Sequence, residues 1–178
     1  MGDIIIKDRT GEGVINDEDR TVIGNSIPRF TFGLNLGFEY KGFDFSCFFQ
    51  GVGKADGYVT MEAIQPMGIN GARKEHYKES FNPQDPKPGA YFPRILSSDY
   101  NYAYMSHWVQ DASYIRLKNL QIGYSFKIKG LNQLRVYASG ENLFTATKYR
   151  TWDPETPVGA RGFYPNVAVY SMGVNLNF

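Results

Sequence analysis

Two stretches of the 178-residue chain carry residues whose types and spacing are suited to chemistry. The first, Asp8 to Asp19, has the length and glycine position of a calcium loop. Asp8, Thr10 and Glu12 stand at positions 1, 3 and 5, Gly13 at the turn and Asp19 at position 12. Calcium takes roughly six to eight hard oxygens, which is why carboxylates at this spacing matter. Thr10 and Glu12 are poor substitutes for Asp or Asn, however, and Asp19 is shorter than the bidentate Glu usual at the last position. A hydrated acidic turn is the plainer alternative. The second stretch, 142–166, combines Phe144, Tyr149, Arg150, Trp152, Asp153 and Glu155, so that stacking faces lie beside hydrogen-bonding groups, as capture of a sugar or peptide requires. Tyr149, Arg150, Trp152 and Asp153 are its candidate substrate-binding residues. The competing reading has Tyr149 and Trp152 merely packing the loop and extending an aromatic belt.

The remaining reactive side chains form no constellation. His76 and His107 lie far apart in irregular sequence without a paired Cys or carboxylate motif. Cys47 alternates with Phe45 and Phe49 and reads as a small apolar residue, not a nucleophile. A nucleophile elbow, a P-loop and a dinucleotide fingerprint are all missing. The expectation is therefore a non-enzyme without a cofactor, calcium apart.

The elements that must position these residues are strands. Thirteen Phe, 13 Tyr, 2 Trp and 19 Gly favour β-structure over helix. Apolar runs are short, so no transmembrane helix is expected, but a membrane barrel needs only alternate residues facing lipid. Nineteen basic and 18 acidic residues give a net charge of +1, which offers no electrostatic case for nucleic acid. Phe30, Phe32, Leu34, Leu36, Phe38 and Tyr40 alternate with Arg29, Thr31, Gly33, Asn35, Gly37 and Glu39. After a two-residue turn at Lys41-Gly42, Phe43, Phe45, Cys47 and Phe49 continue the apolar face, with Phe48 an exception on the polar one. The alternation is lost over 51–112, where only a short helix around Ala72–Glu79 is expected. It resumes at Ser113–Phe126, where Ile115 and Leu117 have the opposite parity to Leu120, Ile122, Tyr124 and Phe126. That slip needs a β-bulge, or a strand rising from one environment into another. After a link at 127–132, Leu134, Val136, Ala138 and Gly140 alternate with polar residues. A second irregular stretch, 142–166, contains Pro154, Pro157 and Pro165. The closing strand places Tyr170, Met172, Val174, Leu176 and Phe178 on one face.

The connections thus run short, long, short, long. Outer-membrane barrels have this asymmetry, with tight periplasmic turns and long external loops. Patterned sequence begins directly after Met1 with no signal peptide, so the chain is expected to be part of something longer.

Taken in order, these pieces resemble the C-terminal end of a SusC/RagA-type TonB-dependent outer-membrane transporter. The resemblance rests on Gly2-Asp3, the loop Asp8–Gly13 with Val14-Ile15, Asp19, Ile23-Gly24 and Pro28. It continues through Tyr40–Asp44, Gln50-Gly51, Ser113–Asn119 and Gly123-Tyr124, and ends with Glu141–Thr145, Asp153-Pro154-Glu155, Tyr164-Pro165 and Gly173–Phe178. Thr10 and Glu12 depart from the Asn and Asp of that family's loop. The resemblance implies an all-β fold: antiparallel strands, about five here, of an incomplete transmembrane barrel of about 22 strands with a plugged lumen. Residues 1–27 would be an extracellular loop and 28–178 barrel strands and loops. It further implies import of oligosaccharides or peptides, a SusD-like surface lipoprotein partner, drive from the TonB complex through an N-terminal part absent here, and outer-membrane lipid around the apolar face. The C-terminus would be periplasmic. A soluble aromatic-rich β-module, such as a carbohydrate-binding domain burying the same faces, is the alternative.

Overall fold

The computed structural model describes residues 2–59, 61–67, 71–95, 99–150, 152–156 and 164–178. Pro157 and the rest of 157–163 lie outside the described residues. The strands are β1 (Phe30–Tyr40), β2 (Phe43–Gly53), β3 (Asp56–Tyr58), β4 (Val109–Asp111), β5 (Tyr114–Phe126), β6 (Gln133–Thr147) and β7 (Val169–Asn177). Two short helices, α1 (Met61–Ile64) and α2 (Lys74–Glu79), complete the regular elements with a few 3₁₀ turns. The chain divides into two compact units, one of 1–25, 57–110 and 157–162, the other of 26–56, 111–156 and 163–178.

The second unit is a five-stranded antiparallel sheet in the order β1-β2-β5-β6-β7. Lys41 and Gly42 both adopt positive φ, at 49° and 88°, which is the backbone that a tight two-residue hairpin requires. Register then carries the period-two pattern across every strand. Phe38, Phe45, Ile122, Ala138 and Met172 form one transverse row, and Leu36, Cys47, Leu120, Gly140 and Tyr170 the next. Gly37, Ser46, Gln121, Ser139 and Ser171 form a row on the opposite face. Phe48, the exception in the sequence pattern, lies on that polar face with its ring laid over Gly33 of β1, where no side chain competes.

The parity slip in β5 is a β-bulge. Phe48 pairs with Asn119 and Phe49 with Leu117, leaving Lys118 as the extra residue. On the other side Leu117 pairs with Phe144 and Asn119 with Glu141, so β6 also bulges, with Asn142 at φ 51°. Leu34, Phe49, Leu117 and Phe144 therefore remain on the apolar face beyond the bulge, and Gly33, Gln50, Arg116 and Thr145 on the polar one. One expectation is corrected here. The irregular stretch expected from 142 begins only after Thr147, because the bulge re-phases β6 and its pairing with β5 continues to Tyr114–Thr147.

This apolar face is uncovered. Side chains Phe30 to Tyr40 on β1 are 44–65% exposed and Met172 is 90% exposed. Exposure of so many large apolar side chains in one continuous face is what a surrounding hydrocarbon phase would cover.

The other unit has a small core of its own. Val59, Ile64, His76, Asn101, Tyr102 and Trp108 are fully buried. The Trp108 indole donates to the Asn101 carbonyl at 3.0 Å, and Tyr91, Phe92, Tyr102 and His107 surround it in ring contact. Asn101 also accepts from the Ile4 N–H and donates to Asp3, which Arg94 grips through two bonds of 2.8 and 2.6 Å. Those bonds, the Arg94 one first, hold the Asp3 carboxyl down at about 2. The irregular stretch expected from 51 begins only after Gly53, where β2 ends, and apart from the short β3 and β4 its described residues are built around aromatic packing instead of strand alternation.

The two faces make a direct prediction. Leu36→Arg places a charge in the middle of the apolar face and should cost about 2–4 kcal/mol if lipid lies there. Membrane insertion of a full-length protein carrying this sequence, read as a heat-modifiable band on a gel, should fall sharply. Ser46→Arg, on the polar face one row away, should assemble normally. Equal assembly of both variants would contradict the assignment of faces.

Candidate functional site

Beyond the bulge the polar face of the sheet meets the connection that follows β6. Asp153 and Pro154 set a tight turn there, in which Thr156 N–H donates to the Asp153 carbonyl and Glu155 N–H to the Asp153 carboxylate, both at 2.9 Å. This turn hangs on Arg116. The Arg116 guanidinium donates through Nη2 to Asp153 Oδ2 and through Nε to Thr145 Oγ1, each at 2.7 Å. Its Nη1 lies 3.0 Å from Glu155 Oε2, close enough for an ion pair though too poorly angled for a hydrogen bond. Lys118 Nζ pairs with Glu155 Oε1 at 2.8 Å, the Tyr114 hydroxyl donates to the same oxygen at 2.9 Å, and Asn166 donates to Oε2 at 2.6 Å. Gln50 reaches the Tyr114 hydroxyl at 3.4 Å.

Arg116 is 2% exposed and the Asp153 side chain nearly as buried, while Lys118 and Glu155 are half-buried, so two cations and two anions balance their charge around a buried guanidinium. Burial acts to raise the Glu155 carboxyl. The bonds from Lys118 and Tyr114 and the charges of Arg116 and Lys118 outweigh it and hold Glu155 below the ordinary glutamate range. The bulge at Lys118 belongs to the device, since it lets the side chains of 116 and 118 serve the polar face while Leu117 and Leu120 stay on the apolar one.

Of the four candidate substrate-binding residues, the structure puts Asp153 into this network and buries Tyr149, whose N–H donates to Thr147 Oγ1 at 3.1 Å. Arg150 is exposed and Trp152 half-buried. The residues that hold the site, Tyr114, Arg116, Lys118 and Glu155, are largely those that reading the loop alone passes over. Their signal was present in β5: Tyr114, Arg116 and Lys118 occupy the parity opposite to Ile115 and Leu117.

The candidate calcium residues do come together. Asp8 accepts from the Gly11 N–H at 2.6 Å, the Gly13 N–H at 2.7 Å and the Thr10 hydroxyl at 3.2 Å. Asp19 accepts from the N–H groups of Arg9 at 2.6 Å, Thr10 at 3.2 Å and Asn16 at 3.0 Å, while Asn16 donates to Glu12. The Asn16 and Arg9 bonds hold the Asp19 carboxyl below its usual range. Both aspartates act as staples on the loop backbone. Among the described residues no group of three or more His, Cys, Asp or Glu is arranged to hold a metal.

The sheet and its two faces define the class: antiparallel strands of a transmembrane β-barrel wall. No protein-family model matches the chain. By sequence it is 34% identical, over 99% of its length, to TonB-dependent receptor P3 of Formosa agariphila, and 27% identical, over 96%, to TonB-dependent receptor SusC of Bacteroides thetaiotaomicron. It spans 19% and 17% of those proteins, about one fifth of their length. By fold it superposes on a chain of the RagAB peptide importer in its open-open state with a TM-score of 0.68 and 25% identity, over 87% of this chain and 18% of that one. Sequence and fold together identify it as SusC/RagA-like TonB-dependent receptor sequence, and with that as outer-membrane protein.

The network predicts a pH response. A carboxyl held below its unfolded value stabilises the fold above that value, and the stabilisation is lost as pH falls through the folded one. Protection of 148–156 from proteolysis, measured on the receptor, should persist at pH 5 and fail only as the pH drops below the ordinary glutamate range. Arg116→Met leaves Asp153 without its cation, while Lys118 still holds Glu155, and should destabilise the turn by about 3 kcal/mol. Arg116→Met with unchanged protection would show that the network holds nothing. For the other loop, Asp19→Ala should speed cleavage within 8–20 whether or not calcium is present. Protection that appears only with calcium would instead assign those oxygens to a metal.

Proposed function

We propose that this sequence forms the C-terminal part of the barrel wall of a TonB-dependent importer that takes up oligosaccharides or peptides. The observation that carries the reading is the five-stranded antiparallel sheet with one continuous, uncovered apolar face and one polar face bearing buried charges. A relative is a TonB-dependent receptor named SusC, and a structural neighbour is a peptide importer. Both support nutrient uptake, with a SusD-like surface lipoprotein as partner and the TonB complex acting through sequence outside this chain. In this reading the short connections, 41–42 and 127–132, face the periplasm and the C-terminus ends there. Residues 1–27 form an extracellular loop. The sheet alone leaves the outer edges of β1 and β7 unpaired, so the 178 residues enclose no pathway and would not transport by themselves.

Within the wall, the network at Arg116 positions the connection carrying Tyr149, Arg150 and Trp152 against the polar, lumen side, where a passing solute meets it. Trp152→Ala in the intact importer should weaken ligand binding while leaving barrel yield unchanged. Equal binding at equal yield would confine Trp152 to packing. The reading as a whole is tested by a blot of native outer membranes with antibody raised against residues 1–178. A band several times heavier than 20.2 kDa is expected. A band at the chain's own mass in the soluble fraction would leave a free-standing β-module instead.

A further inference from the structure

The two short connections of the main sheet gather three lysines at one end: Lys41 in the β1–β2 turn, and Lys127 and Lys129 in the β5–β6 link. The connections are neighbours, because the Ser125 N–H at the end of β5 donates to the Gly42 carbonyl at 2.7 Å. The Asn132 N–H donates to the Asn177 carbonyl at 2.9 Å, which brings the end of β7 to the same level. Here the apolar face finishes in exposed aromatic rings, Tyr40, Tyr124, Phe126 and Phe178. The Lys41 ammonium lies 5.1 Å from the centroid of the Tyr40 ring, so its charge sits with the aromatic face.

Among the described residues no side-chain carboxylate on that face neutralises these cations, and the Phe178 terminus accepts from the Asn132 side-chain amide instead. There is no acidic residue from Leu120 to Gly140 or from Tyr164 to Phe178. The two acids near this end, Glu39 and Asp44, belong to the opposite, polar face by strand parity, and Asp44 is taken up by Arg135 through two bonds of 2.9 and 2.5 Å. Among the described residues Lys41, Lys127 and Lys129 make no ion pair with a carboxylate. Unpaired cations directly beside an exposed aromatic belt are complementary to an anion that is itself joined to an apolar body.

We infer that this end of the sheet binds the anionic headgroups of phospholipids in the inner leaflet of the outer membrane. The inference rests on the barrel-wall reading, which places these connections at the periplasmic side. The aromatic rings lie against the acyl chains while the lysines take the phosphodiester charge. Each lysine near such a surface favours the anionic lipid by roughly fivefold at low salt.

The test uses the intact receptor carrying this sequence, placed in nanodiscs of phosphatidylethanolamine containing phosphatidylglycerol or lipid A. The lipid retained after detergent exchange is counted by native mass spectrometry. Wild type should retain phosphatidylglycerol at least fivefold over phosphatidylethanolamine. The Lys41→Gln/Lys127→Gln/Lys129→Gln variant should lose that preference, and Lys54→Gln/Lys148→Gln, at the other end of the strands, should keep it. Equal retention of the two phospholipids by wild type, or an unchanged preference in the triple variant, overturns the inference, as does retention of lipid A in place of phosphatidylglycerol. Should the triple variant fail to assemble, wild type in rising salt decides. A preference that fades with screening supports the lysines, and one indifferent to salt overturns them. Failure of wild type to enter nanodiscs of any composition would instead overturn the barrel-wall reading.

Discussion

The structure depends on one constraint: a strand has a period of two, and its two faces here must meet opposite environments. Most rows of the main sheet obey it, from Phe38–Phe45–Ile122–Ala138–Met172 on one side to Gly37–Ser46–Gln121–Ser139–Ser171 on the other, with Phe48 an apolar exception on the polar face. In hydrocarbon an unpaired backbone group costs several kcal/mol, so a lipid-facing wall is built only from strands that pair along their length. The inner strands β2, β5 and β6 meet that requirement on both edges. β1 and β7 meet it on one, which is why the reading calls for further strands at both sides. An extra residue inserted anywhere would flip all that follows, and β5 contains such an insertion at Lys118. Asn142, in a left-handed conformation, takes the matching bulge in β6, and the faces recover their phase two residues later.

The bulge also sets up the charged site. Re-phasing at Lys118 leaves Arg116 and Lys118 on the polar face on one side of the insertion and Asn119 facing the same way on the other. Two basic side chains from one strand then meet Asp153 and Glu155 from a turn some 37 residues later in the sequence. Buried ion pairs of this kind add little net stability over apolar packing, but they discriminate strongly against arrangements that leave a charge alone. The network is best understood as fixing where the loop lies on the wall, with Tyr149, Arg150 and Trp152 carried along by it.

Much of the fold was legible in the sequence because the period-two signal is strong where one face is wholly apolar. The hairpin at Lys41-Gly42, the closing strand and the parity slip in β5 were all readable from alternation alone. Two features were hidden for physical reasons. The far half of β6 looked irregular because Asn142 breaks the phase, and a polar strand residue beyond a bulge reads like loop. The charged site was only half visible, since Asp153 and Glu155 stand in sequence as ordinary loop acids, and nothing local says that Arg116 reaches them. In the calcium-like loop, spacing alone could not say whether the carboxylate oxygens would face a cation or the backbone. In the structure the N–H groups of Gly11, Gly13, Arg9 and Asn16 take them. The core around Trp108 had no periodic signature at all, because its rings come from turns and single residues.

The claim on which the account turns is that the two faces of one sheet see lipid and water respectively, with the phase reversing at Lys118. Single spin labels placed along β5 of the receptor in outer membranes measure this directly, through collision with oxygen, which partitions into lipid, and with a nickel chelate, which stays in water. Positions 115, 117, 120, 122 and 124 should favour oxygen and positions 116, 119, 121 and 123 the chelate, so that the alternation inverts across residue 118. Alternation that runs through 118 without inverting, or equal access to the chelate on both faces, would contradict it.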